Sequence, residues 1–151
     1  MNLFQKKCVA LFEEIGEYKK MVLSTSLEDY VTSRMMSIII SDGIFYFQTD
    51  KTFRKYKQLQ MNRKVALCID NISIEGYCYE IGHPLVNPEF CNLYEKHFPN
   101  AFKRYTQLTD ERLFSIEPTY IKKWIYEEGK PYEEIYDFIY KRCEKREYLG
   151  N

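Results

Sequence analysis

The chain reads as a mostly β protein with flanking helices, its strands paired into a small antiparallel barrel. Three observations predict this. Ile38-Ile39-Ile40 and Ile44 to Phe47 are β-branched and aromatic runs of strand length, separated by Asp42-Gly43, a hairpin turn pair. Val65 to Asp70 (VALCID) and Asn71 to Gly82 (NISIEGYCYEIG) supply a second pair of runs. Arg112 to Glu127 gives one long strand, with Pro118 as an edge position or a kink.

Before the first hairpin, Phe4, Cys8, Leu11, Phe12 and Ile15 fall on one face of an amphipathic segment, which predicts a docked N-terminal helix. After it, the polar corner Gln48-Thr49-Asp50 leads into a short helix through Phe53, Tyr56, Gln58 and Leu59, with Thr49 or Asp50 supplying the N-cap oxygen. Asn87-Pro88-Glu89 starts another helix with Phe90, Leu93, Tyr94 and Phe98 on one face, and a shorter one begins near Pro99-Asn100. Glu128-Gly129-Lys130-Pro131 turns the chain after the long strand. Tyr132 to Arg146 then reads as a final amphipathic helix with Ile135, Tyr136, Ile139 and Tyr140 on one side. There is no repeat or low-complexity tract, and 151 residues fit a single domain spanning 1–151.

Twenty-two cations balance 22 acids, which argues against nucleic acid as the main partner, since that would require a basic excess or a strongly basic face. The 14 tyrosines and 10 phenylalanines suit a large subunit interface better than a base-stacking surface lacking a basic stripe. No apolar run approaches the length of a membrane span, and the acid-containing N-terminus is unlike a signal peptide, so a cytoplasmic location is expected.

The helix after the first hairpin is crowded with cations. Its N-terminus offers free backbone N–H groups and partial positive charge, so Thr49, Lys51, Arg54 and Lys55 form a candidate phosphate cradle. Lys51 ranks above Lys57 because it falls in the expected first turn. The competing reading of the same cations is the solvated face of a surface helix.

The order of these pieces resembles the FMN-binding split-barrel family that includes pyridoxamine 5'-phosphate oxidase. Arg34 opens the strand RMMSIII, Asp42-Gly43 turns the chain, Thr49 ends IFYFQT, and Arg54-Lys55 sit in the following helix; Asn62, VALCID and the Gly76 strand continue the pattern. Residues 20 to 82 carry nearly all of the resemblance. It implies a split β-barrel of antiparallel Greek-key type and FMN as cofactor. It also implies a homodimer with the cofactor between subunits, and a redox reaction on a small-molecule substrate. Residue by residue, it places Arg34 at the phosphate or ribityl chain and the backbone of Met35, Met36 and Ser37 along the isoalloxazine edge. Gln48 and Thr49 would meet the ribityl-phosphate portion, and Arg54 and Lys55 the phosphate. Asn71 stands where some relatives place an amide near the flavin, and Trp124 either resembles a late Trp that reaches a partner's flavin or packs within its strand.

The basic C-terminal segment with paired arginines that serves the vitamin B6 oxidase is missing from KRCEKREYLGN, so that particular activity is not expected. The alternatives are a non-catalytic flavin binder or sensor, or a relative that has turned to haem or a deazaflavin; a haem binder would need an axial ligand, for which His83 is the candidate. His83 is also an acid/base candidate. Two histidines without metal-ligand spacing give no metal site, and five cysteines without a C-x-x-C pair give no disulfide framework. Cys68 and Cys78, in strand-like runs, are expected to be buried.

Overall fold

The computed structural model describes residues 1–150. Helix α1 (Leu3–Ile15) starts on a capping box in which Asn2 and Gln5 bond each other's backbone N–H, and it ends at Gly16 with φ of 90°. Its predicted face docks, burying Leu11 and Ile15. The chain continues through β1 (Tyr18–Leu27), β2 (Tyr30–Ser41), β3 (Ile44–Asp50), α2 (Arg54–Met61), β4 (Lys64–Ile69) and β5 (Ile72–Glu80). After a 3-10 turn at Pro84–Val86 come α3 (Pro88–His97), β6 (Glu111–Glu127), β7 (Lys130–Asp137) and β8 (Arg142–Glu147).

All strand pairings are antiparallel, in the order β3-β2-β1-β4-β5-β6-β7-β8. A further pairing of β3 with β6, Phe45 opposite Ile116 through Asp50 opposite Glu111, closes six of these strands into a barrel. Along the same edge, β6 then leaves β3 and takes β7 from Tyr120 onward, so the sheet splits within one strand. Pro118, which has no N–H to donate, lies in the gap between the two partners.

The barrel is filled by Met21, Leu23, Ile38, Ile40, Phe45, Phe47, Leu67, Ile74, Ile116 and Ile121. Ile39 points the other way, joining Leu113, Phe90 and Tyr94 in a smaller cluster beneath α3. That second cluster is why Ile38, Ile39 and Ile40 are all buried: β2 has apolar cover on both faces there.

Two expectations fail. The segment Tyr132 to Arg146 is not a helix but a hairpin, with Tyr132–Asp137 laddered on β6 and Arg142–Glu147 on β7. Ile135, Tyr136, Ile139 and Tyr140 satisfy a helical period. The turn chemistry overrides it: Asp137 Oδ1 accepts from the backbone N–H of both Ile139 and Tyr140 at 3.0 Å, and Lys141 takes a φ of 55°. Cys68 is exposed, since it alternates with the inward-pointing Val65 and Leu67 in β4, whereas Cys78 is buried as expected. Strand β1 carries no strong sequence signal, and its turn to β2 is made by Glu28-Asp29 at positive φ (50° and 66°).

Gly76 sits at a register irregularity opposite Pro118. A Cβ built there would lie 2.5 Å from the Glu117 carbonyl oxygen and 2.9 Å from Ile116 Cγ2, so no side chain fits without moving the β6 backbone. Gly76→Ala is therefore expected to destabilise the protein by about 2 to 3 kcal/mol, read as a lower midpoint in urea unfolding.

Candidate cofactor site

Period-2 alternation sets the site. Phe45, Phe47 and Thr49 point from β3 into the barrel, and on β2 Thr32, Arg34 and Met36 share the face of Ile38 and Ile40. At this end of the barrel α2 packs on β1, presenting Lys55, Gln58 and Leu59 as its buried face. The corner before α2 differs from the one expected. The N-cap position is Phe53, which makes no side-chain cap, while Asp50 Oδ1 folds the corner by accepting from Thr52 N (2.8 Å) and Thr52 Oγ1 (2.7 Å). Lys51 therefore precedes the helix instead of lying in its first turn; it is exposed and pairs with Asp110 at 3.6 Å.

Two features of this corner have no internal explanation. Thr49 is 4% exposed, and its hydroxyl is the one buried side-chain polar atom without a hydrogen-bond partner among the described residues. Lys55 is 9% exposed and takes part in none of the ion pairs formed by the described residues; its Nζ lies 4.8 Å over the Phe53 ring. Burial pushes its pKa down to about 8, reinforced by the charge of Arg34 and opposed by Glu111 and Asp50. Arg34 is itself pushed below the usual arginine range, by burial first and then by Arg54, whose guanidinium rests 4.9 Å over the ring of Tyr30. Arg34, Arg54 and Lys55 thus converge, the last two with cation–π contacts, and none of the three forms an ion pair among the described residues.

Arg34 is also tied into the scaffold. Its Nη1 donates to Leu23 O (3.2 Å) and Thr25 Oγ1 (2.9 Å), and its Nη2 donates to Thr32 Oγ1. Gln48 accepts from Thr106 Oγ1 at 2.9 Å. Glu111 is a buried acid missed by the sequence reading. Burial pushes Glu111 up to about 7; Asp50, directly opposite in the ladder, adds to this, while Lys55 and Gln48 oppose it.

Strand β2 provides the second part of the site. It pairs with β1 along Tyr30–Ile39, but β3 meets its other edge only at Ile39, Ile40 and Ser41. Among the described strands, none covers that other edge from Tyr30 to Ile38, so backbone groups around Met35, Met36 and Ser37 are offered there. Met35 is exposed and Met36 packs against the barrel core.

Asn71 and Trp124 are not brought to this cluster. They hold each other: Asn71 Nδ2 donates to Trp124 O at 2.7 Å, and Trp124 N donates to Asn71 O at 3.0 Å, extending the β5–β6 ladder. The Trp124 ring packs on Tyr126 and Tyr148. His83 has both ring nitrogens engaged, Nδ1 accepting from Leu85 N (3.1 Å) and Nε2 facing Leu108 O (2.8 Å). The acids and thiols of the described residues form no metal-binding group.

The buried charges set a pH dependence. Glu111's native pKa, about 7, lies above its ordinary value of 4.5, so its contribution to stability is full below about 4.5 and is lost as pH rises through 7. Lys55's is depressed, so the native state regains stability between about 8 and 10.5. Glu111→Gln should gain on the wild type between pH 5 and pH 8, by on the order of 1 to 3 kcal/mol in chemical unfolding.

No protein-family model matches this sequence, and no curated protein matches it. Solved structures do match its fold. A pyridoxamine 5'-phosphate oxidase-related, FMN-binding protein from Nostoc punctiforme superposes with a TM-score of 0.64 at 11% identity, over 97% of this chain and 95% of that one. PhzG from Burkholderia lata gives 0.65 at 15% identity, over 97% and 90%. An F420 reductase gives 0.55 at 17% identity, over 73% and 94%. With its closed antiparallel barrel, the strand that changes partner and these superpositions, the chain has the split-barrel fold of the pyridoxamine 5'-phosphate oxidase-like proteins.

Proposed function

We propose that the protein binds FMN and uses it as the redox centre of an oxidoreductase acting on a small molecule. The observation that carries this reading is the buried, unpaired Lys55 with Arg34 and Arg54 about it and the orphaned Thr49 hydroxyl at the end of β3. A terminal phosphate monoester supplies what each lacks: negative charge for three cations and an acceptor for a hydroxyl proton. Lys55 and Arg54 hold the phosphate from α2, Arg34 from β2 and Thr49 from β3. The open edge of β2 at Met35–Ser37 lies beside them for the isoalloxazine ring, with Gln48 toward the ribityl chain. The bound flavin supplies hydride and electron transfer; the chain supplies position, charge and exclusion of water.

A homodimer fits the same surface. Val31 and Met35 are exposed on the outer face of β2 at 66 and 60%, an apolar stripe beside the cofactor edge that a second copy would cover. The F420 reductase neighbour makes a deazaflavin the competing ligand.

The purified protein is expected to show a flavin absorption spectrum and to release FMN on denaturation; released deazaflavin, or a colourless protein that takes up no added FMN, would refute the reading. Changing Arg54 and Lys55 to Ala should weaken FMN by about 1.5 to 3 kcal/mol per lost charge-assisted bond and leave riboflavin nearly unaffected, measured by fluorescence titration. Equal weakening of both ligands would mean the two cations act only through folding.

A further inference from the structure

We propose that Gln58 is a positioning residue of the anion site: through the hydroxyls of Thr25 and Thr32 it sets which edge of the Arg34 guanidinium faces the ligand, and so governs the preference for a phosphorylated over a dephosphorylated flavin. This rests on reading the cradle as a phosphate site. Gln58 is 4% exposed and Thr25 2%. Thr25 Oγ1 lies 2.6 Å and Thr32 Oγ1 2.8 Å from Gln58 Oε1, and the same two hydroxyls are bonded by Arg34.

The guanidinium sets the direction of its own bonds in this cluster. A guanidinium can only donate, so both hydroxyl oxygens must accept from Arg34, and each must place its single proton elsewhere. Gln58 Oε1 takes both. The two hydroxyl oxygens, 3.2 Å apart, are then held by the donor on one side and the acceptor on the other.

Donor arithmetic shows what remains. Of the five N–H groups of a guanidinium, both on Nη1 are spent on Leu23 O and Thr25, and one on Nη2 is spent on Thr32. The Nε–H and the second Nη2–H are left, and they form a parallel fork along one side of the group, the geometry that takes two phosphate oxygens at once. Gln58 also sits one helical turn after Lys55 on the same buried face of α2. A single amide therefore registers the β2 cation against the α2 cation.

The test is the ratio of riboflavin to FMN dissociation constants, by fluorescence titration, for the wild type, Gln58→Leu and Thr32→Val. Gln58→Leu removes the acceptor, and Thr32→Val breaks the same link from β2 without touching α2, so it carries the test if the helix variant does not fold. In each, the preference for FMN is expected to fall about tenfold while riboflavin binding moves less than twofold. The double variant should lose less than the product of the two, because the residues act as one unit. Ratios equal to the wild type's, or FMN and riboflavin weakening in parallel, would overturn the positioning role. A wild type that does not prefer FMN would sink the phosphate reading itself, and with it this inference, before any variant is compared.

Discussion

The change of partner along one edge of β6 is the constraint on which the rest of the molecule depends. From Glu111 to Ile116 the strand closes the barrel against β3, and from Tyr120 it carries β7 and β8. The switch needs a place where the edge donates to nothing, which Pro118 supplies, and a close approach of the opposite strand, which Gly76 permits. Closure through β3 brings Thr49 and Asp50 level with Arg112 and Glu111, and so puts the corner before α2 at the barrel end where Arg34 emerges. The β7–β8 ribbon, secured by Lys122 to Glu133 and Lys123 to Glu14, then packs beside α1.

Electrostatics at that end run against what folding alone would select. A buried lysine without a carboxylate, a buried glutamate facing another acid in the ladder and a hydroxyl with no partner each cost stability in the unliganded protein. They lie at one end of one barrel, beside a strand edge with its backbone groups unpaired. Such concentration of unmet polar requirements is how a preorganised ligand site differs from a packed interior.

Much of the barrel was legible in the chain because its signals are local. The Asp42-Gly43 hairpin, the two strand runs after Asn62, the face of α1 and the start of α3 at Asn87 all stand where the residues indicate. So does the sequence of Arg34, Thr49, Arg54 and Lys55, whose convergence depends on the order of elements. What escaped depends on tertiary partners. Strand β1 is polar where it borders the site, and its serines and threonines give no strand signal until β2 pairs with them. The β7–β8 hairpin has a helical period that only the Asp137 turn and the β6 edge override. Gln58 was legible only as a helix position and Glu111 had no signal; the barrel end buries both. The mutual backbone contact of Asn71 and Trp124 within one protomer also depends on the β5–β6 pairing and has no local signal.

The triple isoleucine of β2 has a consequence for how the strand finds its place. Because apolar cover lies on both faces there, sliding β2 by one residue would leave Ile38, Ile39 and Ile40 nearly as well housed, and the alternation that ordinarily penalises slippage is silent. Correct alignment must be enforced at the two ends of the strand: by the tight Asp42-Gly43 reversal at one, and at the other by the bonds of Arg34 to Thr25 and Thr32, which a one-residue slip would turn to the opposite face. The bonds that order Arg34 at the barrel end thus also proofread the alignment of β2.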